Sequence, residues 1–170
     1  MACPGLETPR LVLRQRSYDD IDAMAAMDAD PEVMRYVEPI ADPVAHRAEL
    51  LTWIPDDEDP PGMGGWSVFA RETPQRFLGW IVLYPLEGWE GDVEIGWRFV
   101  RDAWGRGYAS EAAAAVMEHG FRTVGLDRIV AVLDPDNQRS RRVCEKLGMT
   151  AAGKRRAYDV DCALYVKQRP

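Results

Sequence analysis

Between residues 93 and 100 apolar and polar positions alternate. Val93, Ile95, Trp97 and Phe99 fall on one side and Glu94, Gly96 and Arg98 on the other, the two-residue period of a strand. Past Gly105 and Gly107 the period changes: Ala109, Ala112, Val116 and Gly120 recur at helical spacing among further alanines, the best helix formers. Residues 93–121 therefore predict strand, glycine turn, helix. Upstream, Leu11, Val12 and Leu13 between arginines predict a first strand, and Ser17 with Asp20 has the form of a capping box opening a helix through Ile21, Met24, Ala25 and Met27. Asp30-Pro31 and Asp42-Pro43 each place a capping carboxylate before a proline and predict two more helix starts. The second of these helices is expected to turn Val44, Ala48, Leu51, Trp53 and Ile54 towards the core. Residues 66–71 and 77–83 read as strands joined through Thr73-Pro74-Gln75, and residues 128–133 as a short apolar strand bounded by Asp134-Pro135. A following helix has Val143, Cys144 and Leu147 on its apolar face and ends at Gly148, and residues 150–158 and 161–167 form a closing hairpin. Strand, helix, strand in that order implies a parallel, right-handed crossover. The pattern gives one α/β domain over residues 1–170, without an internal repeat.

Composition narrows the function classes. At 170 residues, with 46% hydrophobic and 29% charged positions, the chain is long enough for one full core and has the make-up of an ordinary globular protein. No window approaches a membrane span, and no charged-then-apolar signal segment opens the chain. Cys3, Cys144 and Cys162 are odd in number and lack metal-ligand spacing, so reduced thiols, a cytoplasmic location and no metal are expected. The net charge of -7 argues against nucleic acid as a partner and favours cationic substrates. The acidic run from Asp56 to Asp59 reads as a solvated loop, with steering of amines as its functional alternative. His46 and His119 each stand without a carboxylate or cysteine at ligand spacing and read as surface or satisfied polar groups. Of Trp53, Trp66, Trp80, Trp89, Trp97 and Trp104, most are expected in the core and one or two in the wall of a site.

The chemistry concentrates at the glycine turn. Where a strand gives way to a helix, the first helical amides lack intrahelical partners and the peptide dipoles place partial positive charge there. Gly105 and Gly107 remove side chains that would hold a ligand off the backbone, and Arg106 adds a cation, so a phosphate or pyrophosphate fits. No Gly-Lys-Ser/Thr triplet follows, which argues against a nucleoside triphosphatase, and the glycines are too close for a dinucleotide fingerprint.

The string Trp104-Gly105-Arg106-Gly107-Tyr108-Ala109-Ser110-Glu111-Ala112, followed by Asn137-Gln138-Arg139-Ser140 and Glu145-Lys146-Leu147-Gly148-Met149, resembles the GNAT superfamily of acetyl-CoA-dependent N-acetyltransferases. The opening residues Thr8 to Arg14 and the strand Ile95-Gly96-Trp97 are similar to its branch named for ribosomal-protein N-terminal alanine acetyltransferases. The resemblance implies a single-domain mixed α/β fold: a central, mostly antiparallel sheet with two splayed parallel central strands, flanked by helices. It implies acetyl-CoA as cosubstrate, its pantetheine arm lying between residues 96–100 and 128–133 against the backbone of Trp97, Phe99 and Val100. The amides of Arg106, Gly107, Tyr108, Ala109 and Ser110 would take the pyrophosphate, Asn137 the pantetheine arm, and Ser140 would lie near the thioester sulfur. The helical region ahead of the acidic run would roof the acceptor pocket. On the residues alone, Asn137 also reads as a helix N-cap and Phe99 and Val100 as core, and one residue can do both.

Attack on a thioester requires an uncharged amine, so a base or a water wire must take a proton. Glu94, on the face of Gly96 and Arg98, is the candidate base, acting through water or with a pKa raised by burial; a surface glutamate paired with a neighbouring arginine is the alternative. A strand amide near Phe99 is the candidate oxyanion donor, and Ser140 the first candidate to hydrogen-bond the departing thiolate. Many family members carry tyrosine where this chain has Cys144, a departure that leaves the general acid open; a buried helix cysteine is the plainer reading. The expected activity is direct transfer in a ternary complex to a primary amine, either a protein N-terminus or a small molecule. A non-catalytic CoA-binding module is the alternative, and a homodimer stays open.

Overall fold

The computed structural model describes residues 3–54, 59–86, 88 and 91–170. Asp56, Asp57, Glu58 and Trp89 lie outside the described residues. Among the described residues eight strands, β1 (Leu6–Glu7), β2 (Leu11–Gln15), β3 (Gly64–Ala70), β4 (Thr73–Pro85), β5 (Val93–Phe99), β6 (Arg128–Leu133), β7 (Thr150–Ala157) and β8 (Val160–Gln168), form one sheet in the order β1-β2-β3-β4-β5-β6-β8-β7. Every neighbouring pair is antiparallel except β5 with β6. Four α-helices of the described residues flank it: α1 (Ile21–Asp28), α2 (Pro43–Thr52), α3 (Tyr108–His119) and α4 (Gln138–Lys146). The expected mixed sheet with a parallel central pair and flanking helices is thus the one observed.

The main core lies between the sheet and α3. Leu11, Leu13, Ile81, Leu83, Ile95 and Ile129 are fully buried there against Ala112, Ala113 and Val116. Alanine lets the helix sit close to the strands, and the approach tightens at Gly120, where an added Cβ would come 2.9 Å from Ile129 Cδ1. On the opposite face α1 and α2 pack Ile21, Met24, Met27 and Leu50 over Trp80. The Ser17–Asp20 capping box is present and leads through one 3₁₀ turn into α1.

Three expectations about the helical region and its hairpin need correction. No helix begins at Asp30-Pro31: the Asp30 carboxylate accepts from the Glu32 amide at 3.0 Å, but residues 30–37 make only separate turns. Val33 and Val37 are β-branched, and Pro39 disfavours helical geometry at Glu38, so the first turn does not propagate. Trp53 and Ile54, just past the end of α2, pack inward as expected, but within α2 the inward positions are His46 and Leu50, while Val44 is 78% and Leu51 44% exposed. A polar contact sets that phase: His46 Nε2 lies 2.9 Å from the buried Asp28 carboxylate of α1. Finally, Thr73-Pro74-Gln75 is not a connection but the start of β4, which reaches β5 only from Gly79 onwards. Pro74 is tolerated because that half of the strand has an open side.

The hairpin of β7 and β8 closes through Tyr158 and Asp159, both in the left-handed region at φ 50° and 60°. Gly148, at φ 68°, ends α4 as expected.

Candidate active site

β5 and β6 run side by side but share backbone pairing only at Glu94 and Val130. The Val132 amide of β6 faces the Glu94 carboxylate and favours its ionised form. Beyond this fork opens a cleft of about 400 Å³, lined by Trp97, Arg98 and Phe99 of β5, by the glycine turn and first turn of α3, and by Asn137, Ser140 and Val143 of α4. Its other wall is the segment 32–37, through Glu32, Val33, Tyr36 and Val37.

Gly105 and Gly107 both take left-handed angles, φ 73° and 79°, and Gly107 is the N-cap of α3. Among the described residues no side chain caps this helix. By contrast the Asp42 carboxylate accepts from Val44 and Ala45 at the start of α2, and Asn137 Oδ1 accepts from the Ser140 amide, 3.1 Å away, at the start of α4. The amides of Tyr108, Ala109 and Ser110 precede the first intrahelical bond, from the Glu111 amide to the Gly107 carbonyl, and their residues line the cleft. Such a helix end suits an anion, and the site therefore fits a pyrophosphate.

A brace on the far side of the turn was not read from the sequence. Glu111 accepts from the Thr8 hydroxyl at 2.6 Å, from the Arg10 amide at 3.0 Å and from Arg10 Nε at 2.6 Å. Arg10 Nη1 then donates to the Arg106 carbonyl at 2.9 Å, and its guanidinium lies 4.7 Å from the Tyr108 ring centre. Burial raises the Glu111 pKa, but the Thr8 and Arg10 hydrogen bonds outweigh it and hold this carboxyl below its ordinary range. Thr8 and Arg10 stand about a hundred positions from Glu111, and no periodicity links them. Trp104, at the head of the turn, donates its indole N–H to the Phe99 carbonyl at 2.9 Å and carries the Arg139 guanidinium 3.8 Å over its ring.

Of the predicted site residues, Trp97, Phe99, Gly107, Tyr108, Ala109, Ser110, Asn137 and Ser140 come together along this one cleft. Arg106, Val100 and Glu94 are not in its lining. The Val100 N–H is already engaged, donating to the Leu78 carbonyl at 2.9 Å, and its carbonyl accepts from Ala103 at 3.0 Å. Glu94 is half-buried at the fork and accepts from the Tyr158 hydroxyl as well as from the Val132 amide. Burial pushes its carboxyl up to about 7 against the pull of those two donors. The neighbouring Arg98 turns instead to Asp28 Oδ2, 2.8 Å away, and lies 5.0 Å from the Trp80 ring centre.

His46, expected to stand alone, shares that buried Asp28 carboxylate with Arg98, so one side chain ties α1, α2 and β5 behind the cleft. His119 is buried with a ring nitrogen 2.7 Å from the Gly62 carbonyl, a satisfied polar group. Cys144 is buried, and burial pushes its thiol up to about 12, as fits the plainer reading of a helix cysteine. Among the described residues no group of histidine, cysteine or acidic side chains is arranged to hold a metal, and no helix is long and apolar enough to cross a membrane.

Residues 10–150 match the profile of the acetyltransferase (GNAT) domain. The chain belongs to the GNAT acetyltransferases. Like other GNAT enzymes it is an acyltransferase that uses acetyl-CoA. It is 33% identical over 165 residues to YkkB of Bacillus subtilis, covering 96% of this chain and 95% of that one. Its fold superposes on an acetyltransferase from Agrobacterium tumefaciens with a TM-score of 0.84 at 27% identity, over 99% of this chain and 96% of the other. RimL, a ribosomal L7/L12 α-N-protein acetyltransferase solved in complex with coenzyme A, shares the fold at a TM-score of 0.78 and 17% identity, over 97% and 98% of the two chains.

Proposed function

We propose that this GNAT enzyme passes the acetyl group of acetyl-CoA directly to a primary amine while both are bound. The observation that carries the reading is the single backbone pair between β5 and β6, from which one cleft runs to the uncapped start of α3 and to the segment 32–37. Acetyl-CoA supplies the activated acetyl group as a thioester; the residues of the chain bind, orient and move protons. The amides from Arg106 to Ser110, aided by the helix dipole, hold the pyrophosphate. The backbone of Trp97 and Phe99 aligns the pantetheine arm, and a Phe99 amide is the donor for charge developing on the thioester oxygen. Asn137 spends its carbonyl oxygen on the α4 cap, which leaves its NH₂ to donate to the arm. The Ser140 hydroxyl donates to the departing sulfur.

Glu94 is the base, working through water because it stands at the fork and outside the cleft wall. A carboxyl near 7 is matched to an α-amine of pKa about 8, from which proton transfer is about one unit uphill. From a lysine-like amine near 10.4 it would be roughly three units uphill. That comparison supports a peptide N-terminus as acceptor and, with the motif around Trp104 and the fold shared with RimL, the branch of ribosomal-protein N-terminal alanine acetyltransferases. Glu32, in the outer wall, adds a carboxylate for the ammonium form on arrival. The three free cysteines, all buried, support a cytoplasmic setting. Self-association is included in the reading, with β7, exposed along residues 150–156, as the edge available for it.

The test is release of CoA thiol from acetyl-CoA across a panel running from an alanine-initiated peptide to spermidine. Release is expected to be fastest with the peptide. CoA binding without release across the whole panel would leave a binding module.

A further inference from the structure

Tyr158 and Asp159 form the two-residue turn between β7 and β8, with φ 50° and 60°. Turns of this kind ordinarily take asparagine, aspartate or glycine, because the Cβ of other residues crowds the following carbonyl. An aromatic side chain is therefore out of place there, and its ring is 69% exposed. Backbone strain of this sort persists where other contacts fix it. The contact in question is specific: the Tyr158 hydroxyl reaches past β6 to the Glu94 carboxylate of β5.

Two donors converge on that carboxylate, the phenol from the hairpin and the Val132 amide from β6. The remaining ionisable neighbour from β8 is Cys162, whose thiol is pushed up by burial and, more weakly, by Glu94 itself. Arg98, on the same face of β5, is engaged by Asp28.

We propose that Tyr158 is a positioning residue: from the strained tip of the hairpin its phenol holds the Glu94 side chain at the fork, turned so as to take a proton from the acceptor side. The inference rests on Glu94 being the base. It gives a reason for an unfavourable residue in the turn, and it makes the β7–β8 hairpin part of the catalytic apparatus although no residue of the hairpin lines the cleft.

The variant Tyr158→Phe keeps the ring and removes the donor. In protein labelled with ¹³C at the glutamate carboxyls, the Glu94 signal is the one lost in Glu94→Gln. It should titrate near 7 in the native protein and roughly one pH unit higher in Tyr158→Phe, because a donor to the ionised form has gone. Thiol release with the alanine-initiated peptide should fall about three- to tenfold near pH 7 and recover only in part near pH 9, where the carboxylate is ionised but no longer held in place, with KM for acetyl-CoA unchanged. Tyr158→Asn, which suits the turn, should melt higher than the native protein and titrate as the Phe variant does. A Glu94 midpoint that stays in place in both variants overturns the inference, as does a full return to the native rate at high pH, which would leave Tyr158 no part in holding the side chain. The titration needs no acceptor, so a failure of Glu94 as base, seen as undiminished release by Glu94→Gln, is read separately.

Discussion

Glu94 carries a thermodynamic signature that can be measured without any substrate. Its carboxyl is held at about 7 by burial, against an ordinary value of 4.5 in the unfolded chain. Below 4.5 both states are protonated and the shift has no effect on stability. Between 4.5 and 7 the unfolded chain ionises first, so native stability falls as pH rises, and the full penalty stands above 7. Glu94→Gln should therefore gain about 3 kcal/mol at high pH and nothing in acid, while turnover drops about tenfold or more and CoA affinity is unchanged. Melting curves in acid and near pH 8 check the first half; a gain that is the same at both would show that the carboxyl is not the source. At this scale the sequence was half legible. Strand alternation put Glu94 beside Gly96 and Arg98, but its partner Tyr158 lies 64 positions away and no local pattern joins them. The same holds for His46 and Asp28, whose contact turns Val44 and Leu51 outward from the expected facing.

At the scale of elements, the glycine turn is where a change of side chain should separate binding from folding. Valine at position 107 would sit at φ 79° with its Cβ 3.4 Å from Arg10 Nη2, a strained conformation costing about 1–3 kcal/mol. Gly107→Val is expected to weaken CoA binding tenfold or more by calorimetry while the protein still melts cooperatively. Retained affinity would mean that the pyrophosphate sits elsewhere. The turn itself was readable because the hydrophobic period switches from two to 3.6 across it. The Thr8, Arg10 and Glu111 brace was not, since polar groups that meet across a fold leave no periodic trace. Asp30-Pro31 failed for the opposite reason: the local cap forms as read, but a cap starts a helix only if the residues after it can carry on.

For the whole molecule, ligand linkage is the simplest check on the site. CoA at about a hundred times its Kd should stabilise the protein by about 2.7 kcal/mol, and ATP should give no comparable rise in melting temperature. Equal shifts from the two would point to a general phosphate site instead. The order of strands was legible where chain neighbours pair and where a crossover helix dictates a parallel step. That β8 rather than β7 joins β6 was not, because a hairpin carries the same local signals whichever of its strands faces the sheet. The single pairing between β5 and β6 has a mechanical consequence. The sheet is in effect two leaves, one of five strands and one of three, hinged at one rung and strapped together by α3 and α4. On the proposed placement, a pantetheine chain laid along the gap would supply amide rungs to both leaves, so that seating the cosubstrate and making the sheet continuous would be one event and departure of the product would loosen the molecule along its midline.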